Sequence, residues 1–283
     1  MNKKDFPKYS VLLSVYRMES SSNLDASLKS IFNQTVLCDE LVLVEDGPLN
    51  DKLYSLIDEY KKKYSSIIHV VKLDKNVGLG LALNRGIVEC SNELIARFDS
   101  DDISVEDRCE KQLKQFVDDP QLDIIGSNHI EFVDDINNKK TFTYKNLPST
   151  DEEIKKYARK RNPFSHSAIM YKKSKVLEAG NYRNYYYVED YDLWVRMIQI
   201  GCKCKNIDEY LSYVRVSEDL YKRRGGFKYL KSLMKFKNEQ LRTGFYSFGD
   251  YIKSSTAHII VCLMPGFLRK IVYQRLLRKK YNV

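Results

Sequence analysis

Three carboxylates fall within four positions at Asp99-Ser100-Asp101-Asp102, straight after the run Glu93 to Phe98. Like charges this close repel, so the arrangement is costly unless a cation or a set of donors offsets it. Hard oxygen ligands suit Mg²⁺ or Mn²⁺, and such ions commonly bridge one or two carboxylates to a nucleotide's phosphates. The chemistry implied is metal–diphosphate binding; the plainer alternative is a solvated acidic loop that caps the next helix. A second acidic group, Glu189-Asp190-Tyr191-Asp192-Leu193-Trp194, opens a helical pattern over Val188 to Ile200. A carboxylate at a helix start is favoured by the dipole, and it can also serve as a general base towards a hydroxyl. Asn162-Pro163-Phe164-Ser165-His166 reads as a rigid turn that carries one of only four histidines to the edge of a sheet. A lone histidine is more often structural than catalytic.

These groups need elements to hold them. Tyr9 to Tyr16, Glu40 to Glu45, Ile67 to Leu73 and the run into Asp99 are nearly continuous apolar segments. Between them lie amphipathic stretches at Asn23 to Gln34, Asp51 to Tyr64 and Leu79 to Cys90. Strands alternating with helices, each strand apolar throughout, predict an α/β fold: a mainly parallel sheet with helices on both faces. In such sheets ligands bind at the carboxyl ends of the strands. Ser14-Val15-Tyr16 and Glu45-Asp46-Gly47 end the first two strands and so share an edge with Asp99. A tyrosine ring can stack on a base, and a carboxylate can accept from a base N–H. Further on, Glu106 to Val117 reads as helix, Leu122 to Gly126, Ser167 to Tyr171 and Leu211 to Val216 as strands, and Asp134 to Asn138 as a polar turn.

Other phosphate chemistries are excluded at motif level. Gly78-Leu79-Gly80 opens a helix, but the third glycine of a dinucleotide fingerprint would fall at Leu83, and no P-loop or G-x-S-x-G elbow occurs. Six scattered cysteines lack the spacing of a zinc site and predict free thiols in a reducing, cytoplasmic compartment. No apolar run reaches the roughly 18 residues that suggest a membrane span.

The net charge of +9 is unevenly placed: residues 221–283 hold 15 Lys+Arg against 2 Asp+Glu, while the remainder carries a net −4. Nucleic acid is a poor fit, because the body is acidic and its polar clusters are aspartates. After Gly225-Gly226 the chain reads as two or three basic amphipathic helices. In the last, Leu268, Ile271, Val272, Leu276 and Leu277 share one face, and Arg269, Lys270, Arg275, Arg278 and Lys279 line the other. A basic amphipathic helix too short to span lies in a membrane surface, so residues 221–283 are expected on an anionic leaflet.

Taken together, SVY, VEDG, NVGLGLALNRGI, ARFDSDD, NPFSHSAIMY and EDYDLWVRM, spread over roughly residues 9–216, resemble the family 2 glycosyltransferases. Arg97, Asp107-Arg108, Gln112 and Arg223-Arg224-Gly225-Gly226 are similar to the branch that extends lipid-linked saccharides in capsule, exopolysaccharide or O-antigen assembly. The resemblance implies the nucleotide-diphosphate-sugar A-type fold. It implies a catalytic domain over 1–220 (1–105 for the nucleotide sugar, 106–220 for the acceptor) and a membrane-associating region over 221–283.

It also implies roles. Ser14, Tyr16, Glu45, Asp46, Asp99 and Ser100 would bind the donor nucleotide, and Arg85 the diphosphate, since Leu83 stands where many members have arginine. Asp101 and Asp102 would hold Mn²⁺ or Mg²⁺. Asp190 would be the base, Glu189 would orient the acceptor, and His166 and Trp194 would shape the acceptor side. Some members add a late histidine to the metal, and this chain has none near Tyr213 to Leu220. The expected reaction is inverting transfer of a hexose, from a UDP-sugar, to a polyprenyl-diphosphate-linked saccharide at the inner face of the cell membrane. The alternatives are a catalytically inactive nucleotide-sugar-binding module and a sugar-phosphate nucleotidyltransferase. The latter should carry a glycine-rich basic signature that Ser14 to Asn23 lacks.

Overall fold

The computed structural model describes residues 5–133, 136–138, 142–216, 225–269 and 272, and the backbone of 279–280. The first half alternates β1 (Tyr9–Tyr16), α1 (Ser21–Phe32), β2 (Glu40–Asp46), α2 (Asp51–Lys63), β3 (Ile68–Lys72), α3 (Leu79–Glu89) and β4 (Leu94–Asp99). The local reasons are ordinary. Leu24, Leu28 and Ile31 recur at helical spacing and are fully buried. Asn50 caps α2 by accepting from the Leu53 N–H at 3.1 Å, and Lys61, Lys62 and Lys63 complement the dipole at its end.

The second half contributes β5 (Ile103–Ser104), α4 (Arg108–Asp118), β6 (Leu122–Phe132), β7 (Thr143–Lys145), α5 (Asp151–Tyr157), β8 (Met170–Lys172), α6 (Lys173–Glu178), α7 (Glu189–Gln199) and β9 (Lys203–Arg215). A 3₁₀ turn at His166–Ala168 precedes β8. Among the described residues the strands form one sheet in the order β7-β6-β8-β4-β1-β2-β3, with β9 beside β6 and β5 beside β9. The pairs β1–β2, β1–β4, β2–β3 and β6–β9 are parallel. The short β8 runs antiparallel between β4 and β6, so those two strands point the same way. Hence β1, β2, β4 and β6 all deliver their carboxyl ends to one edge.

Alternation along the strands divides the core. Val11, Leu13, Val15 and Phe98 pack with α1, α2 and α4 on one face. Leu12, Val42, Val44 and Ile95 pack with α3, α6 and α7 on the other. Beyond β9, α8 (Gly226–Arg242) and α9 (Phe248–Leu263) dock on α7. Leu233, Phe236 and Tyr246 there close a third cluster with Tyr185, Val188, Tyr191 and Val195.

Three expectations differ from what is seen. The strand expected over Ser167 to Tyr171 shrinks to β8, because the buried Arg108 and Gln112 take the carbonyls of Ser167, Ala168 and Ile169 at 2.7, 2.9 and 3.1 Å. The strand expected over Leu211 to Val216 begins at Lys203, pairing along β6 with register shifts opposite Ser127 to His129. The terminal amphipathic helix falls mostly on residues 270–278, of which only 272 is described. At its margins, Arg269 is buried and donates to the carbonyls of Val261, Cys262 and Met264 rather than lining an outward basic face. Lys279–Lys280 pairs with β7 as a short strand. Arg223-Arg224 and part of the Asp134 to Asn138 turn lie outside the described residues.

Candidate active site

At the shared strand edge, Ser14 stands in register with both Val44 and Asp99, and Tyr16 with Asp46. The same alternation that splits the core sends Ser14, Tyr16, Asp46, Arg97 and Asp99 to the face covered by α3 and α7. Glu45 goes to the opposite face, buried beside Lys72 at 3.8 Å, and burial raises its carboxyl pKa.

Arg97 is the buried anchor of the acidic cluster. Its Nη2 donates to Asp99, while Nε and Nη1 are buried with no partner among the described residues. Burial opposes the arginine's charge, but Asp99 more than offsets this and its pKa is raised. Asp101 is half-buried, and burial first, then Asp99 and Glu19, push its carboxyl well above the usual range. A carboxylate so crowded by others is a place where a cation lowers the energy. Among the described residues no three His, Cys, Asp or Glu side chains converge as a metal cage. Asp101 with Asp99 therefore suits an ion that draws its remaining ligands from diphosphate and water, as Mg²⁺ commonly does.

Across the edge, α7 begins with the second acidic pair. Asp190 is half-buried; its Oδ2 accepts from Asn162 Nδ2 at 2.6 Å and its Oδ1 from the Tyr191 N–H at 2.6 Å. Glu189 is buried with Oε2 unpartnered, and burial followed by the charge of Asp190 raises its pKa; Arg97 and Asp99 also act on it. Glu189 thus links the two clusters electrostatically and favours its protonated form. Gly80, in the first turn of α3, lets α7 approach: a Cβ there would lie 2.7 Å from the Arg183 carbonyl and 3.0 Å from Glu189 Cβ. His166 hydrogen-bonds the Tyr182 hydroxyl through Nε2 at 2.8 Å, and burial, then Arg97, keeps it neutral.

With this geometry in view, the comparisons with known proteins have a physical counterpart. The model of glycosyl transferase family 2 matches residues 10–179, the stretch from β1 to the end of α6. The chain belongs to glycosyl transferase family 2. It is 36% identical over 270 residues to the amylovoran biosynthesis glycosyltransferase AmsE of Erwinia amylovora, covering 94% of this chain and 98% of that one. It is also 36% identical over 275 residues to the UDP-Gal:alpha-D-GlcNAc-diphosphoundecaprenol beta-1,3-galactosyltransferase of Escherichia coli, covering 97% and 98%. The fold resembles the mannosyltransferase PcManGT of Pyrobaculum calidifontis, solved with GDP-Man and Mn²⁺: TM-score 0.65, 12% identity, 97% of this chain and 81% of that one. It also resembles residues 1–349 of S. aureus TarS with UDP-GlcNAc, at TM-score 0.58 and 17% identity over 77% and 64% of the two chains.

Within this family 2 glycosyltransferase, several residues expected at the site are engaged elsewhere. Asp102 is buried and accepts from the Arg215 N–H at 2.8 Å and from Ser167, so it clamps β9 and the 3₁₀ turn instead of facing a metal. Ser100 is buried and gives its hydroxyl to Glu19 at 2.8 Å. Asp46 accepts from Asn76 Nδ2, the Val77 N–H and the Gly78 N–H at 2.9, 2.7 and 3.1 Å; it shapes the turn before α3. Gly47, at φ +82, makes room for that turn, since a Cβ would lie 2.4 Å from the Asn76 N. Arg85 is exposed nearly two turns into α3 and pairs with Glu89 at 2.7 Å, away from the edge. Trp194 is fully buried, packing edge-on against His166 and Tyr182 at 5.9 and 6.1 Å between ring centroids. It supports His166 and Tyr182 from behind and is shut off from solvent.

Residues that the motifs did not single out for a role hold the candidate site together. Arg97 steadies Asp99, Asn162 steadies Asp190, and Glu19 crowds Asp101. Asp192, one turn into α7, accepts Arg183 through both oxygens and Arg196 at 2.8 Å, and Arg183 bridges on to Glu239 of α8 at 2.8 Å. Asn162 and Arg97 lay inside quoted motifs and were visible there; Glu19 and Glu239 had no local signal.

Proposed function

We propose that this glycosyltransferase transfers a hexose, with inversion, from a nucleotide-diphosphate sugar, most simply a UDP-sugar, to a hydroxyl of a polyprenyl-diphosphate-linked saccharide in surface polysaccharide assembly. The observation that carries the proposal is Asp190, a half-buried carboxylate fixed by Asn162 and next to Glu189, on which Arg97 and Asp99 also act. The Escherichia coli relative, named for UDP-Gal and a diphosphoundecaprenol acceptor, supports the substrate classes.

In the proposed step Asp190 takes the proton of the acceptor hydroxyl. The oxygen then attacks the anomeric carbon from the face opposite the diphosphate, the new C–O bond forming as the old one breaks, and the nucleoside diphosphate departs with the bonding pair. Base catalysis of this kind is worth roughly 10²–10⁴-fold. A protonated Glu189 leaves Asp190 as the group free to accept a proton, and Glu189 orients the acceptor. Asp101, with Asp99, would hold Mg²⁺ or Mn²⁺; such an ion neutralises charge on the departing diphosphate, worth several kcal/mol. Tyr16 at the end of β1 would hold the base, with Ser14 between it and Asp99, while Glu45, on the opposite face of the sheet, would not reach it.

The test is calorimetric titration with UDP, GDP, dTDP and CMP, each with Mn²⁺ and with EDTA, followed by NMR of the product linkage. Metal-dependent binding of one nucleotide and a β-linkage from an α-linked donor bear the proposal out. No binding under either condition, or retention of the anomeric configuration, overturns it.

A further inference from the structure

Between α5 and the 3₁₀ turn the chain runs Ala158-Arg159-Lys160-Arg161-Asn162. Both ends of this loop are pinned on α7. The Ala158 carbonyl accepts from the Tyr191 hydroxyl at 2.6 Å, and Asn162 donates to Asp190 at 2.6 Å. The three cations between are exposed, and among the described residues no ion pair to them is found within 4.0 Å. Consecutive like charges repel, so a loop that keeps three of them with no carboxylate at ion-pair distance is a surface for an external anion. Because its ends are already fixed, little ordering cost opposes binding there.

The same loop lies against the C-terminal helices. Arg159 sits over the Phe245 ring at 6.0 Å. Asp250, near the start of α9, is held low by the Ser247 hydroxyl and then by Arg159 and Lys160. His258, two turns on, is held at about 4 by burial, then by Lys237, with Arg161 adding to the effect. On its outward side α9 exposes Phe248, Ile252, Ile260 and Leu263. None of the described helices is long and apolar enough to cross a membrane. An apolar row on such a helix, flanked by exposed cations, fits the boundary of a bilayer, where it would sink about 5–10 Å. The molecule thus carries an apolar row on α9 and three exposed cations on a loop whose ends are hydrogen-bonded beside the candidate base.

We propose that Arg159, Lys160 and Arg161 bind the diphosphate of the lipid-linked acceptor, while the outward row of α9 seats in the bilayer that holds its lipid. This rests on the acceptor class proposed above. Arginine suits the role because its planar fork meets phosphate oxygens two at a time. Arg159 is three positions before Asn162, so along the chain the cations lie within roughly 10 Å of the group that holds Asp190. That reach favours an acceptor whose reacting sugar is joined directly to the diphosphate over one that carries a longer chain between them.

The experiment is vesicle flotation with the full-length protein. One set of phosphatidylcholine vesicles carries a sugar-diphosphate-polyprenol; a second carries phosphatidylglycerol at matched charge. The expected result is at least tenfold tighter binding to the diphosphate vesicles. Arg159→Gln combined with Arg161→Gln should abolish that preference, and Lys160→Glu alone should weaken it. Lys253→Glu, an equal change of charge on α9, should leave it intact. Equal binding of the parent protein to both vesicles, or to neither, overturns the proposal, as does a double variant that keeps the preference. A retained preference without transfer from any nucleotide sugar would sink the reaction proposed above and leave this site standing. Transfer to the acceptor without any preference would do the reverse.

Discussion

Asp190 and Asp101 are both half-buried carboxylates, yet their surroundings assign them opposite work. Asp190 accepts two hydrogen bonds that stabilise its charged form, from Asn162 and the Tyr191 N–H, and it stands at a helix start where the dipole adds to this. Asp190→Asn should lower kcat by about 10²–10⁴-fold while UDP binding with Mn²⁺ stays within twofold; calorimetry showing lost nucleotide affinity would argue against a base. Asp101 instead faces Asp99 and Glu19, which together with burial raise its pKa. The folded protein therefore holds this proton at pH values where the unfolded chain has released it. The resulting penalty is absent below the ordinary carboxylate range and grows as pH rises through the folded pKa. In EDTA, Asp101→Asn should remove that slope and raise Tm at pH 8 by about 2–4 °C for each kcal/mol of repulsion relieved. The same variant should lose metal-dependent nucleotide binding. Identical melts at pH 5 and pH 8 for the two proteins would refute the crowding argument.

Arg108 shows how an element can fix a site without touching substrate. From the first turn of α4 it donates to Ser104 Oγ and to the carbonyls of Ser167, Arg97 and Ile169 at 2.9, 2.7, 2.8 and 3.1 Å, with its guanidinium 4.1 Å over the Phe98 ring. It joins the strand that ends at Asp99 to the turn that carries His166. Arg108→Met would leave several buried acceptors unsatisfied at about 1–3 kcal/mol each. Urea unfolding should therefore show a loss of about 3 kcal/mol or more. A loss below about 1 kcal/mol would mean that water replaces the guanidinium. Gln112 adds a second pin on the Ala168 carbonyl at 2.9 Å.

At the scale of the molecule, the C-terminal helices are part of the catalytic body's packing. Tyr191, next to Asp190, shares a hydrogen bond with Tyr246 at 2.9 Å and packs on Phe236 with ring centroids 4.6 Å apart. Tyr185 donates to Glu239, which also receives Arg183. Cutting the chain before Gly225 would bare Tyr185, Val188, Tyr191 and Val195, at roughly 25 cal/mol for each Å² of apolar surface exposed. The truncated protein should melt earlier and lose activity for a structural reason, so deletion is a poor test of membrane binding. Ile260→Asp, on the exposed side of α9, is the better probe: vesicle binding should fall about tenfold with Tm unchanged. A Tm loss of several degrees would mean that Ile260 is packed in solution.

The sequence alone determined the parallel half of the sheet, because unbroken apolar strands alternating with amphipathic helices have few other ways to bury both faces. It also determined the shared edge, since Ser14, Tyr16, Asp46 and Asp99 follow from strand ends and register. Asp99-Asp101 and Glu189-Asp190 were legible for the same reason: acidic groups at strand and helix ends leave a local mark. The division of labour inside each motif was not legible. Asp101 and Asp102 are neighbours of the same type, and only the pairing of Arg215 with Asp102 turns one inward and leaves the other at the edge. Trp194 carries no sign of being core rather than lining, because a helix at the margin of a site and a helix beneath it share one periodicity. Arg269, placed by its spacing on the basic face of the terminal helix, is buried against the end of α9. Burial and hydrogen-bond pairing depend on residues up to 114 positions apart in the chain, and spacing within a motif cannot encode them.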